Sequence, residues 1–235
     1  MPEFDDIAFH PEEFSGTVRL FPLPNLVLFP RVMQPLHIFE PRYRDLLRDA
    51  LGDDRLIAMA TLRPGWEADY EGRPPLHPVV CLGRIAACHT LDDGSSNLLL
   101  MGVTRARVIE ELPARQSYRE ARVEVLEDEY PAELASSRPG LHRQLCEAFL
   151  QLLPDLPEVH EQVDQLVASE VPLGVLTDGI SYALDLSIEE KQVLLGEANV
   201  HRRAASLLEL LSDSLANSAT GPSGLLTFPP SFSAN

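Results

Sequence analysis

Proline interrupts each apolar run near the start of the chain, and this pattern limits the fold more than any other feature. Pro22, Pro24, Pro30 and Pro35 divide residues 18–39 into pieces of a few apolar residues each. Proline has no N–H to donate and fixes its own φ, so these pieces cannot form a long helix or a central strand of a regular sheet. The pattern is typical of short strands that lie at an edge or beside a bulge.

Similar short apolar runs recur as far as residue 126, with no helical segments alternating between them. Residues 92–95 (Asp-Asp-Gly-Ser) form a turn sequence between two such runs, as in a β-hairpin. The predicted strands are residues 18–23, 26–29, 32–39, 56–61, 79–91, 97–103, 105–112 and 118–126. This arrangement predicts a closed or half-closed mixed barrel and argues against a doubly wound sheet.

One helix is predicted among these strands. Over residues 41–51, apolar side chains such as Leu46 and Leu47 recur at helical spacing. Pro41 lies where the first helical turn tolerates proline, and Gly52 lies where a C-cap is expected. Residues 62–78 are rich in proline and predict a surface loop.

After a linker-like stretch at residues 127–139, the apolar spacing becomes helical and predicts a bundle of about five helices. Ser187 and Glu190 have the spacing of a capping box at the start of one of them. The sequence therefore predicts an α+β protein, whose parts are an N-terminal arm (1–16), a β-barrel (17–130), a helical bundle (131–213) and a flexible tail (214–235).

The charge of the chain excludes several classes of partner. There are 36 acidic and 19 basic residues, a formal net charge of −17, which disfavours DNA and anionic membrane surfaces. No apolar run approaches the length of a membrane span, and residues 1–14 lack the features of a signal peptide. We therefore expect a cytoplasmic protein with three reduced cysteines.

Residue patterns for catalysis are missing. A phosphate-binding loop needs Gly-Lys-Ser or Gly-Lys-Thr, but Lys191 follows Glu190 and is the only lysine. There is no Gly-x-Ser-x-Gly nucleophile motif, and the scattered histidines do not form a zinc motif. We therefore expect no enzyme activity, no catalytic residue, no metal site and no cofactor.

Four segments, in the same order, resemble the LON N-terminal domain. Residues 21–44 (FPLPNLVLFPRVMQPLHIFEPRYR) resemble its opening motif, and residues 56–61, 80–108 and 165–211 resemble later strands, a hairpin and the helical end. This family is the substrate-recognition module of ATP-dependent Lon proteases. The resemblance implies a PUA-like β pseudo-barrel that contains one helix and is followed by a helical bundle.

The resemblance also implies protein or peptide binding without ATPase or peptidase residues. The expected partners are unfolded polypeptides or a protein partner, with a Lon-type protease among the candidates. The candidate peptide-binding residues are Phe29, Met33, Leu36, Phe39 and Trp66. For each of these five residues, the alternative is that the side chain packs in the core. Glu40 and Arg42 also have an alternative explanation: Glu40 precedes a helix and favours its N-terminus, and Arg42 is a surface residue of the first turn.

RNA binding is the alternative function, because PUA-like barrels elsewhere bind RNA. The net charge argues against it, but a local patch around Arg42, Arg44, Arg48, Arg105 and Arg107 stays conceivable at this point. For a peptide ligand, residues 144–190 carry ten acids and no base, which favours neutral or basic polypeptides.

Overall fold

The computed structural model describes residues 9–70, 72–152 and 171–218. These residues form two compact units that divide after Glu127. The first unit holds the strands and one helix, and the second is helical.

In the first unit, the described strands form a mixed barrel. They are β1 (Thr17–Leu23), β2 (Met33–Ile38), β3 (Leu56–Thr61), β4 (Val79–Thr90), β5 (Ser96–Glu111) and β6 (Arg119–Leu126). The order is β2-β5-β4-β3-β1-β6, and β5 also pairs with β6, which closes the barrel. β1 and β3 are parallel, whereas the other pairs are antiparallel. The predicted α+β class with a mixed barrel is confirmed.

The barrel interior is filled by small and branched apolar side chains from alternate strand positions. Val18 and Leu20 of β1 meet Ala58 of β3, Leu82 of β4 and Ala106 of β5, all nearly inaccessible to solvent. Burial on this scale supplies the apolar contribution that holds the strands in register.

Three of the predicted strands differ in the structure. Residues 26–29 are irregular instead of extended, and there the Leu26 carbonyl accepts a hydrogen bond from Thr61 Oγ1 at 3.0 Å. The two predicted strands at 97–103 and 105–112 are one long strand, β5. Its first half pairs with β2 and its second half with β6, so one continuous strand serves two neighbours.

The predicted helix among the strands is confirmed as α1 (Pro41–Leu51), which buries Tyr43, Leu46, Leu47 and Ala50. Gly52 is its C-cap residue. The segment after β3 contains a short 3-10 helix, Trp66–Asp69.

The second unit begins with a 3-10 helix, Ala132–Ser137, followed by α2 (Arg138–Leu150), α3 (Leu173–Ala183), α4 (Ile188–Gly196) and α5 (Val200–Ser218). The capping box of Ser187 and Glu190 is present at the start of α4. One of the roughly five helices expected for the bundle, indicated by apolar residues at helical spacing over 159–167, lies outside the described residues. α5 continues to Ser218, past residue 213 where we expected the bundle to end. None of the described helices is long and apolar enough to cross a membrane.

A buried arginine lies at the centre of this helical unit. Arg203 of α5 is fully buried; its Nη2 lies 2.9 Å from Asp128 Oδ2, and its Nε lies 3.2 Å from Asp178 Oδ1 of α3. Its Nη1 donates to the carbonyl of Glu197 at 2.6 Å. A buried charge is tolerated only with such partners, so this cluster determines how α3 and α5 meet.

Candidate peptide-binding surface

β2 has a neighbouring strand on one side only within the described residues. The Gly102 N–H donates to the Val32 carbonyl at 2.8 Å, and the register pairs Met33 with Met101 without a shift along β2. Hydrogen-bonded and non-hydrogen-bonded pairs alternate in an antiparallel ladder. The even-numbered residues of β2 therefore bond to β5, and the odd-numbered ones direct their N–H and C=O groups towards the open edge.

The same alternation places an apolar patch on the outer face of the sheet. Met33 lies opposite Met101, and Pro35 lies opposite Leu99. Met33 and Phe39 are 41% and 40% exposed. We call Met33, Pro35, Phe39, Leu99 and Met101 the outer-face patch. Methionine is unbranched and polarisable, so two methionines make such a surface adaptable to different apolar partners.

His37 and Asn97 border this patch. The His37 Nδ1 lies 2.9 Å from Asn97 Oδ1 across the strand pair, and the Phe39 ring stacks on the His37 ring at a centroid distance of 5.9 Å. These contacts orient Phe39 although it follows the end of β2. The polar pair therefore supports one end of the apolar surface.

The two ends of the patch differ in charge. Exposed Arg31 lies two residues before β2 and has a φ of 64°, and Arg84 of β4 lies opposite Met101. Neither arginine forms an ion pair in the part of the chain that the structure describes. At the other end, hydrogen bonds from Ser95 lower the pKa of Asp93, which keeps this carboxylate ionised near His37.

The structure places two of the predicted site residues in the core. Phe29 is fully buried and Leu36 is 1% exposed. Leu36 is an even-numbered residue of β2, so its side chain points away from the outer face. Neither side chain can contact a bound peptide in this conformation, and for these two residues the core interpretation is correct.

Trp66 lies at one end of a column of stacked side chains. Its ring meets the edge of Tyr70 at a centroid distance of 5.5 Å. The Arg42 guanidinium lies 4.7 Å from the ring centroids of both Tyr70 and Tyr43. Tyr43 in turn packs edge-on against Phe21 at 4.4 Å. The column therefore connects the partly exposed Trp66 to the buried wall of the barrel.

Glu40 links the outer-face patch to this column. Its Oε1 accepts a hydrogen bond from the Tyr70 hydroxyl at 2.9 Å, and its Oε2 lies 2.9 Å from Arg42 Nη2. Because Glu40 directly follows Phe39, the column begins where the patch ends. From the sequence alone, Glu40 can be explained as a residue at the start of α1 and Arg42 as a surface residue of its first turn, without any role in binding. The sequence holds no signal for the contact with Tyr70, which lies in a loop far along the chain.

A cleft of about 590 Å³ lies beside the column. Its lining residues are Pro22, Glu40, Pro41, Arg42, Tyr43, Gly72, Arg73, Ala114, Gln116, Ser117, Tyr118 and Arg119. The Arg119 Nε and Arg73 Nη2 lie 2.9 and 3.0 Å from Glu111 Oε2. Although burial raises the pKa of Glu111, these two guanidinium groups hold it below its usual value. Burial and a hydrogen bond to Asp49 raise the pKa of Tyr118 to about 12.

The arginines considered for RNA binding do not form one exposed basic patch. Arg42 is ion-paired with Glu40 and stacked between two tyrosines. Arg48 pairs with Asp45 and Asp49, while Arg105 is only 2% exposed. The charges of these three arginines are therefore neutralised or inaccessible, whereas Arg44 and Arg107 are exposed. Three of the five arginines thus contribute little to a basic surface, so this observation does not favour the RNA alternative.

Two observations bear on metal and thiol chemistry in the described residues. In residues 9–70, 72–152 and 171–218, no group of three or more His, Cys, Asp or Glu side chains could hold a metal ion. Burial raises the pKa of the Cys88 and Cys146 thiols, which disfavours the reactive thiolate. An adaptable apolar patch beside an unpaired strand edge is suited to extended polypeptides.

The chain is similar in sequence to Lon proteases. The chain is 30% identical to Lon protease 2 of Myxococcus xanthus over 203 residues, which cover 86% of this chain and 24% of the relative. It is 29% identical to Lon protease of Anaeromyxobacter dehalogenans over 209 residues, which cover 88% of this chain and 24% of the relative. The chain therefore spans about a quarter of the length of these curated relatives.

Two solved structures share the fold. One is the Lon N-terminal domain protein from Xanthomonas campestris, with a TM-score of 0.56, 24% identity, and coverage of 82% of this chain and 97% of that one. The other is the N-terminal domain of Mycobacterium avium complex Lon protease, with a TM-score of 0.64, 17% identity, and coverage of 84% and 98%. The model of the ATP-dependent protease La (LON) substrate-binding domain matches residues 17–213. The chain therefore belongs to the family of LON substrate-binding domains.

Proposed function

We propose that this chain is a non-catalytic substrate-recognition module that binds unfolded polypeptide segments at the outer-face patch and the open edge of β2. The family supports the binding of protein substrates. The observation that carries the choice of surface is the pairing of exposed Met33 with Met101 beside the unpaired strand edge. A Lon-type protease is the proposed context, because the curated relatives are themselves named Lon proteases.

Apolar burial is the expected source of affinity. Transfer of one methionine side chain out of water contributes roughly 1.5–3 kcal/mol. Backbone hydrogen bonds at the strand edge are independent of the ligand's side chains, so the surface can accept many different segments. A module of this kind requires no phosphate-binding loop and no nucleophile, in agreement with the residue patterns of the chain.

The test measures the binding of a fluorescently labelled, chemically unfolded protein to the wild type and to two variants. Met33→Ser combined with Met101→Ser removes both thioethers from the patch and should weaken binding by about tenfold or more. Ile109→Ser is the matched control, because Ile109 is 54% exposed on β5 but lies outside the outer-face patch. Equal affinity of the wild type and the double variant would show that polypeptides bind elsewhere.

A further inference from the structure

We propose that a polypeptide segment adds to β2 as an antiparallel strand held at two anchor residues, Met33 and His37. We further propose that the segment tolerates proline at its centre and carries acidic residues on its C-terminal side. This inference rests on the proposed function and specifies the ligand of the same surface. It follows from the groups that the edge of β2 presents.

The anchors follow from the ladder between β2 and β5. The bond from the Gly102 N–H to the Val32 carbonyl makes the even-numbered residues of β2 the partners of β5. Met33 and His37 therefore each present an N–H and a C=O to the open edge. Two residues four positions apart in a strand are separated by about 13 Å.

Between the anchors, the edge offers almost nothing to a ligand. Pro35 also faces the open side, but proline has no N–H. The Pro35 carbonyl already accepts a hydrogen bond from Gln34 Nε2 at 2.8 Å. A ligand residue opposite Pro35 therefore finds no N–H to bond and a carbonyl oxygen that already accepts one hydrogen bond. It gains less backbone hydrogen bonding there than at the two anchors, and a proline at this ligand position loses little.

Antiparallel pairing assigns three ligand positions. The first ligand residue lies opposite His37, the third opposite Pro35 and the fifth opposite Met33. Residues directly opposite each other direct their side chains to the same face of a sheet. The side chains of the third and fifth residues therefore lie beside the outer-face patch, where apolar residues are favoured.

Charge selects the direction of the ligand. Exposed Arg31 lies two residues before Met33, at the end where the fifth ligand residue pairs, and forms no ion pair within the described residues; Arg84 is on the same face but two strands further away, on β4. Ionised Asp93 lies near His37, at the end where the first ligand residue pairs, and the Arg44 guanidinium lies against the adjacent Gly94. Acidic residues after the fifth position therefore lie near a cation without a carboxylate partner, whereas acidic residues before the first would lie near a carboxylate as well as a guanidinium. A ligand that ran parallel to β2 would place the same residues at the wrong end.

This ligand chemistry differs from the neutral or basic polypeptide that the net charge favours. That expectation came from residues 144–190, in which ten acids occur without a base. The charges that border the open edge are those of the barrel. For a ligand held at this edge, the neighbouring charges have a larger effect than the net charge of the chain. At about 0.1 M salt, exposed charges that are more than about 10 Å apart are largely screened from each other.

The test uses a short peptide with blocked ends, valine at its first, third and fifth positions, threonine at the second and fourth, and two glutamates after the fifth. Affinity is measured by fluorescence anisotropy. N-methylation of the first or the fifth residue removes an anchoring N–H and should weaken binding about tenfold. N-methylation of the third residue, or its replacement by proline, should leave the affinity within about twofold.

Two further comparisons complete the experiment. Moving the two glutamates to the N-terminal side should weaken binding several-fold at low salt, and the difference should shrink at high salt. Pro35→Ala supplies the missing N–H and should strengthen binding of the original peptide about fivefold. Circular dichroism of this variant checks that the fold is retained.

The outcomes separate this inference from the proposed function. Equal sensitivity to N-methylation at all three positions, or none at any, would overturn strand addition while polypeptide binding at the patch stands. A preference for glutamates at the N-terminal side would overturn the antiparallel direction. If neither this peptide nor an unfolded protein binds, both proposals are wrong.

Discussion

The backbone of Gly102 passes so close to Phe29 that a Cβ atom at residue 102 would overlap the Phe29 carbonyl oxygen. The Gly102 carbonyl also accepts the Arg31 N–H at 2.8 Å, and its N–H donates to Val32. Glycine at this point lets the irregular segment before β2 pack directly on β5. The position of the open edge therefore depends on a residue that carries no side chain.

We predict that Gly102→Val lowers the free energy of unfolding by about 3 kcal/mol, because overpacking against a fixed backbone cannot be relieved by a rotamer change. Urea denaturation followed by circular dichroism measures the effect. Gly52→Ala is the control, since a Cβ there would lie 3.6 Å from the nearest atom, the Arg48 oxygen. An unchanged denaturation midpoint for Gly102→Val would show that the irregular segment before β2 can move away from β5 at little cost.

A second prediction concerns the buried arginine of the helical unit. Arg203→Met removes the guanidinium that pairs with Asp178, which is 2% exposed. Breaking a buried pair in this way costs about 3–5 kcal/mol. Arg203→Lys should not restore stability, because one ammonium group cannot reach Asp128, Asp178 and the Glu197 carbonyl together. Thermal unfolding of the three proteins tests this, and wild-type stability of the lysine variant would contradict it.

The third prediction is a pH dependence caused by Glu111. Its pKa in the folded state lies below the value of about 4.3 expected for the unfolded chain. The stabilisation by Arg119 and Arg73 is therefore complete above that pH and is lost as the pH falls through the folded-state pKa. Wild type should exceed Glu111→Gln in stability at pH 7, and the difference should shrink towards pH 3. A difference that is constant with pH would rule out the ion pairs as its source.

A fourth prediction separates binding from stability at Trp66. This side chain is partly exposed and packs edge-on against Tyr70 at the outer end of the column. Trp66→Ala should lower stability by less than about 1 kcal/mol. If Trp66 belongs to the peptide-binding surface, the same change should weaken binding about tenfold. Fluorescence anisotropy with a labelled peptide measures the affinity; wild-type affinity in the variant would remove Trp66 from the site.

The last prediction is that the purified chain neither hydrolyses ATP nor cleaves an unfolded protein such as casein. The reason is the missing phosphate-binding loop, since the only lysine, Lys191, follows a glutamate. A phosphate-release assay and gel electrophoresis measure the two activities. ATP turnover that persists through purification and is lost in Lys191→Ala would contradict the prediction.

Local patterns determined much of the fold. The apolar spacing and the flanking Pro41 and Gly52 were enough for α1, and the Ser187–Glu190 spacing was enough for the start of α4. These signals act within one or two turns of the chain, where neighbouring residues alone settle the backbone conformation. The family motifs added the order of strands and helices.

The candidate site required the tertiary structure. Met33 and Leu36 are both apolar and both lie in β2, yet Met33 is 41% exposed and Leu36 only 1%. What separates them is the pairing of β2 with β5, because a shift of one residue would exchange its two faces. The same register between β2 and β5 places Met101 beside Met33.

The sequence by itself determined the α+β class, the helix α1, the capping box and the family of the chain, because each depends on residues that are near neighbours or on motifs in a fixed order. The tertiary structure alone decided which residues face outward from β2, that Glu40 binds Tyr70, and that Arg203 is buried between Asp128 and Asp178. These contacts join residues that are distant in the chain. Their partners are set by strand register and helix packing, which no local pattern specifies.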